Sequence, residues 1–336
     1  MSIEVTDPKP LPINLLKMLA DARRARGGAP LTAFPNVSSL QQSIVKAEIS
    51  KLNQELQDQL AKASAKSSKA EAAVTEWEQK YSELEKKYEL DFLLSRVTPK
   101  SHEALLQSPT LMDKFFNTAE STAFVMSVDI RRSTELMLKA RKPELFARFI
   151  GTLCSKLEDI IKEQSGVFDK FTGDGILAFF PEHFSGKDNG YRALSASRAC
   201  HKLFEDTYRE YRSSFSTIMA DVGLGIGIDF GPVHFLKVAS GLTVVGSPVV
   251  YACRLSGAPA GHTYLNQPAY EIIADQHGGH FSITEAKLNI KHEGDIICYD
   301  AALTKNSYKA QPSAWEELAN SQATPEKSAD ATKTRK

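Results

Sequence analysis

The chain has 336 residues, a formal net charge of zero and 42% hydrophobic residues, enough for one large globular domain plus accessory segments. No apolar run reaches the roughly 18 residues of a membrane span, no signal peptide opens the sequence, and the balanced charge gives no basis for nonspecific nucleic-acid binding. The expectation is a cytoplasmic protein whose four scattered cysteines (Cys154, Cys200, Cys253, Cys298) are reduced packing residues, not a disulfide frame or a zinc site.

Residues 1–38 carry Pro and Gly at both ends around a short amphipathic run, Ile13 to Arg26. Its basic end (Arg23, Arg24, Arg26) suits a partly ordered or dimer-packed helix better than a membrane contact. From 39 to 98 the chain is dense in Glu, Lys, Gln, Ala and Leu, the composition of one long helix. Val74, Trp77, Tyr81, Leu84 and Tyr88 alternate at spacings of three and four, the seam of a coiled coil. So polar a helix needs a partner, and a parallel homodimer supplies one; the alternative is a helix packed on its own domain. Thr98-Pro99 ends it.

A short helical connector fills 99–119, and the main domain spans 120–303. It opens with a buried strand, Thr122 to Asp129, followed over 130–164 by helix-period apolar positions closed by Gly166. Residues 166–180 read as a hairpin with a Thr172-Gly173-Asp174-Gly175 tip. A helix over 188–210 comes next. The Gly-alternating run Val222 to Asp229 follows, turned at Phe230-Gly231-Pro232 into a strand over 233–238. Thr243 to Pro248 leads into a helix from Val249 to Leu255, and 304–336 read as a disordered tail. This order predicts an α+β fold, a ferredoxin-like antiparallel sheet covered by helices.

Asp129 ends a buried strand immediately before a helix start, and Asp174 lies 45 positions later (174 − 129) on a hairpin able to pair beside it. Carboxylates meeting at neighbouring strand ends hold divalent cations, and the adjacent helix start offers backbone N–H groups for phosphate. Phosphoryl transfer uses such a combination, although a strand-end aspartate also serves as a cap or a turn residue.

Four segments, Phe124 to Thr134, Phe168 to Phe179, Gly225 to Val233 and Val244 to Leu255, together resemble class III nucleotide cyclases in order and spacing, over about residues 120–302. The resemblance implies that Asp129 and Asp174 bind two divalent cations, Mn²⁺ or Mg²⁺, with the Ile130 carbonyl as a further ligand. It implies that Lys170 and Thr243 contact the base and that Arg254 stabilises charge on the transferring phosphate. Lys291 is a weaker match to a triphosphate-binding lysine. Taken singly, Lys170 also reads as a solvated strand residue, Thr243 as a β-former and Arg254 as a helix-surface charge.

The chain departs from that family at three positions, with Val250 for an asparagine, Gly225 for an arginine and Asp229 for a histidine or asparagine. Longer segments, such as "MSVDIRRSTELMLKARKPELFARFI", look like the pyrimidine cyclases of bacterial Pycsar antiphage systems. That resemblance implies a homodimer that converts CTP or UTP to cyclic CMP or cyclic UMP, whose product activates a separate effector. An adenylate cyclase regulated through its N-terminal helix, and a catalytically silent nucleotide-binding dimerisation module, remain as alternatives.

Overall fold

The computed structural model describes residues 46–58, 67–116, 120–238, 241–290, 294–304 and 308–322. The expected segment 1–38 and Lys291 therefore lie outside the described residues. Of the expected long helix over 39–98, 46–58 and α1 (Ser67–Arg96) are helical, and 39–45 and 59–66 lie outside the described residues.

Among the described residues, eight strands form one sheet. At its centre is β1 (Ser121–Arg131), which runs through six consecutive buried residues, Ala123 to Val128. Such a run suits a strand covered on both faces. It pairs antiparallel with β3 (Ile176–Pro181) on one side and β4 (Gly223–Val238) on the other, and β2 (Val167–Phe171) pairs with β3. Two helices, α4 (Ser133–Lys139) and α5 (Pro143–Glu163), join β1 to β2, and α7 (Asn189–Glu210) lies between β3 and β4. The strand order β2-β3-β1-β4 with this connectivity is the ferredoxin-like βαββαβ unit expected from the sequence. Beyond it, β6 (His262–Leu265) runs parallel to β4, and the hairpin of β7 (Phe281–Ile290) and β8 (Gly294–Leu303) closes that edge.

The two faces of β1 are buried differently. Phe124, Met126, Val128 and Ile130 join Ile226, Ile228, Phe149, Leu157 and Phe204 in the larger core beneath α5 and α7. Ala123 and Val125 face a second core containing Leu177, Phe179, Leu242, Val244, Phe92, Leu93 and Ala252. The alternating glycines of β4 belong to this second face. A Cβ on Gly227 would lie 2.2 Å from the Ala252 carbonyl oxygen, so helix α8 (Ser247–Leu255) rests directly on the strand backbone. Leu224, Ile226 and Ile228 fill the core on the other side. Gly225 and Gly223 meet the segment 256–261 that follows the helix, so the glycine alternation is the imprint of this helix and its continuation on a strand.

Four expectations are corrected. The helical stretch 130–164 is two helices, because Pro143 begins a new one at its first turn. Helix α5 is closed by Ser165, which takes the left-handed conformation (φ 56°) while the Gly166 N–H reaches the Ile161 carbonyl at 2.9 Å. Gly166 is needed for another reason: a Cβ there would meet the Phe180 ring at 2.6 Å. No turn interrupts 230–232. Strand β4 continues through Pro232, pairing with β1 as far as Val233 and then with β5 (Gly241–Val245). Pro232 falls between the β6 and β5 ladders, where a missing N–H costs little. Lastly, within the expected tail, residues 308–322 are ordered and carry α10 (Ala314–Gln322), whose Trp315 is buried.

Candidate active site

Asp129 stands near the end of β1, opposite Gly225 of β4, and Asp174 stands in the turn joining β2 to β3. The turn is closed by the Thr172 N–H donating to the Gly175 carbonyl at 2.9 Å, with Gly173 in a positive-φ conformation (91°). Gly175 is required by proximity. A Cβ there would lie 2.0 Å from the Val128 carbonyl oxygen, so the turn is pressed onto the backbone just before Asp129. This contact brings the two aspartates together.

Their electrostatics follow from that placement. Burial raises the Asp129 carboxyl above its ordinary range, and the negative charge of Asp174 raises it further. Arg131, two residues along the same face of β1, opposes both by donating from Nη1 to Asp129 Oδ2 at 2.7 Å. Carboxylates are hard oxygen donors of the kind that hold divalent cations. No cluster of three or more His, Cys, Asp or Glu side chains suited to a metal is found among the described residues.

A second group forms where β2 meets β5. Lys170 Nζ donates to Thr243 Oγ1 at 2.8 Å, and Thr243 Oγ1 donates to Asp169 Oδ2 at 3.1 Å. Arg96, the last residue of α1, donates to Asp169 Oδ1 at 3.2 Å and to the Leu242 carbonyl at 3.1 Å, with its guanidinium over the Phe92 ring. Burial lowers Arg96 to about 10, against the opposing pull of Asp169. The sequence reading named Lys170 and Thr243 and missed Asp169, Arg96 and Arg131.

Arg254 lies on α8 with its guanidinium 5.6 Å from the centre of the Tyr251 ring. Val250, on the same helix, is 47% exposed and so is not a core valine. Asp229 is buried on β4 and accepts from the Phe230 N–H at 2.8 Å, and its burial pushes it up to about 6.

No protein-family model matches the chain, and no curated protein matches it significantly. Solved structures do. The adenylyl cyclase CyaB from P. aeruginosa is 21% identical with a TM-score of 0.49, over 56% of this chain and 98% of its own. The guanylyl cyclase Cya2 is 20% identical with a TM-score of 0.49, over 56% and 95%. The guanylate cyclase domain of RhGC from Catenaria anguillulae, solved in complex with GTP, is 19% identical with a TM-score of 0.44, over 56% and 100%. The fold assignment rests on the strand order and connectivity described above.

Proposed function

We infer that the chain is a nucleotide cyclase whose substrate is CTP or UTP and whose product is cyclic CMP or cyclic UMP plus pyrophosphate. The observation that carries the cyclase reading is the Asp129–Asp174 pair, two like charges held together by the close approach of Gly175 to the Val128 carbonyl. A carboxylate pair in this condition favours cations, and the motif resemblance supplies the reaction. Asp129, Asp174 and the Ile130 carbonyl would hold two Mg²⁺ or Mn²⁺ ions, which when bound neutralise the triphosphate and activate the ribose 3′-hydroxyl. The 3′-oxygen forms its bond to the α-phosphorus as the bond to the β-phosphate oxygen breaks. Arg254 takes the charge that accumulates on the transferring phosphate, a role suited to a planar cation.

Base choice is read from departures at the site. An exposed valine at 250 presents no hydrogen-bonding group, and Gly225 has no space for a side chain, so neither position supplies a polar contact to a base. These departures are compatible with a site reshaped for another base, and the choice of a pyrimidine rests on the resemblance of the longer segments to pyrimidine cyclases. Adenylate cyclase is the second reading, favoured by the Lys170–Thr243 pair. The proposed assembly is a cytoplasmic homodimer joined along α1, with the metal pair from one chain and Lys170, Thr243 and Arg254 from the other. Its product would act on a separate effector in antiphage defence.

The test is incubation of the purified chain with each of the four nucleoside triphosphates and Mn²⁺, beside Asp174→Ala. Cyclic CMP or cyclic UMP, reduced about 10³-fold in the variant, is the expected outcome, since losing several kcal/mol of charge stabilisation has that effect. Cyclic AMP alone would replace the pyrimidine reading with the second one. Absence of any cyclic product would overturn both.

A further inference from the structure

Asp169 sits at an irregularity in the β2–β3 ladder. Phe168 pairs with Ala178 and Lys170 with Leu177, so Asp169 is the extra residue of a bulge. Neighbours in a regular strand point to opposite faces. The bulge removes that alternation, and the Asp169 and Lys170 side chains converge on one hydroxyl, with Lys170 Nζ 3.2 Å from Asp169 Oδ2. The Asp169 side chain is only 1% exposed, whereas that of Lys170 is 48% exposed and open to a ligand.

A threonine hydroxyl has one proton and two lone pairs, and an ionised carboxylate only accepts. The Thr243 proton is spent on Asp169 Oδ2, and one lone pair is taken by Lys170. Toward a ligand, Thr243 therefore offers only its remaining lone pair, beside the unused N–H groups of Lys170. The pair is a fixed acceptor next to a fixed donor. Arg96 holds the carboxylate that enforces this polarity and also bonds the Leu242 carbonyl, adjacent to Thr243.

We propose that Asp169, anchored by Arg96, is a positioning residue for base recognition: it locks Thr243 as an acceptor and so sets the donor–acceptor polarity that the Lys170–Thr243 pair presents to the base. The inference rests on the reading of this site as a nucleotide cyclase. Amino bases (adenine, cytosine) and keto bases (guanine, uracil) carry opposite donor–acceptor order on their exocyclic and ring positions. A locked hydroxyl accepts one order and rejects the other, because a mismatched lone pair leaves polar groups unsatisfied. In Asp169→Asn the side-chain amide can donate to the hydroxyl, and Thr243 is freed to donate to the base.

The experiment measures turnover of ATP, CTP, GTP and UTP with Mn²⁺, and their equilibrium binding with Ca²⁺, for the full-length chain and for Asp169→Asn, Thr243→Val and the double variant. In Asp169→Asn, discrimination between amino and keto bases should fall about tenfold, through KM far more than kcat. Thr243→Val keeps the Asp169–Arg96 pair and should lose the same discrimination, and the double variant should be no worse than Thr243→Val alone. A uniform loss over all four nucleotides, or unchanged discrimination in Thr243→Val, would overturn the inference while leaving the cyclase reading intact. Ordered nucleotide binding without cyclic product would overturn the cyclase reading, with the polarity then judged on the binding data. No binding of any triphosphate by the wild-type chain would overturn both.

Discussion

Gly225 and Arg131 share one space. The Cβ that Gly225 lacks would lie 2.7 Å from Arg131 Cδ, so the arginine stem of β1 crosses the place where a side chain of β4 would stand, on its way to Asp129. The same Cβ would lie 2.4 Å from the Ser256 carbonyl oxygen and 2.5 Å from that of Ala258. Those two are backbone atoms and cannot swing aside. Gly225→Ala should therefore lower the unfolding free energy by about 1–3 kcal/mol, the usual cost of overpacking a tight contact. Urea denaturation measures this, and an unchanged midpoint with an unchanged slope would refute the contact. A larger side chain such as arginine would be worse still.

The strap formed by 308–322 makes a second stability prediction. Trp315 is 6% exposed and donates from Nε1 to Ser165 Oγ at 3.2 Å. Arg192, itself buried, donates to the Gln311 carbonyl at 2.7 Å and pairs with Glu316 at 3.4 Å. Trp315→Ala should cost about 3–5 kcal/mol through lost burial and the cavity left behind. Truncation after residue 303 should cost more, because it also strips Arg192 of these partners in a buried place. Thermal denaturation of the two variants beside the full chain checks the order, and equal melting temperatures would show the strap to be incidental.

How much of this was legible in the sequence depends on what each feature rests on. The strands, the hairpin tip and the helix at 247–255 follow from local periodicity and turn chemistry, and the ferredoxin-like order follows from their succession. The Asp129–Asp174 pairing was legible for the same reason, since both lie at element ends that a hairpin brings side by side. The Asp169 bulge was not, because register is a property of two strands, and an acidic residue beside a lysine looks like any solvated pair. Arg96 gives no signal either, as one basic residue near a helix end among many in a charged helix. The ordered tail segment was missed because the stretch 304–336 around it is dominated by Lys, Thr, Ala and Ser, whereas Trp315 and the polar contacts to Arg192 that hold it depend on partners far away in the sequence.

The seam of α1 bears on assembly. In the single chain Val74, Trp77, Tyr81, Leu84 and Tyr88 are only partly buried, on a helix otherwise mostly exposed as far as Asp91. A stripe of large apolar residues left half open at that spacing is what a second copy would cover. Trp77→Lys with Tyr81→Lys should weaken self-association at least tenfold, as judged by sedimentation equilibrium, without changing the stability of 120–303. Unchanged association would remove α1 from the interface and leave dimerisation to the sheet domain.

The pH dependence of stability follows from one buried carboxyl, Asp229, and two partly buried imidazoles, His183 and His201. His183 lies against Phe115 and Phe235, and burial, aided by the charge of Lys114, lowers it to about 4 from 6.5. His201 is likewise lowered to about 4, by burial and then by His262, with Asp300 opposing. Between pH 6.5 and 4 the unfolded chain binds protons at these sites that the folded chain refuses, so stability falls as pH falls. Each site contributes at most about 3 kcal/mol, from a shift of about two and a half units. Asp229 acts in the opposite sense. Burial raises it to about 6 from 3.8, so between those values the folded state holds the extra proton and gains stability on acidification, by a similar amount. One carboxyl against two imidazoles leaves a net loss, and the chain should be less stable at pH 5 than at pH 7. His183→Phe should flatten that slope by about one proton, whereas Asp229→Asn, which keeps an acceptor for the Phe230 N–H, should stabilise the chain at pH 7 and steepen its loss in acid. Urea denaturation at the two pH values tests both, and a wild-type slope in His183→Phe would mean that this imidazole gains its proton in the folded state near its ordinary pKa.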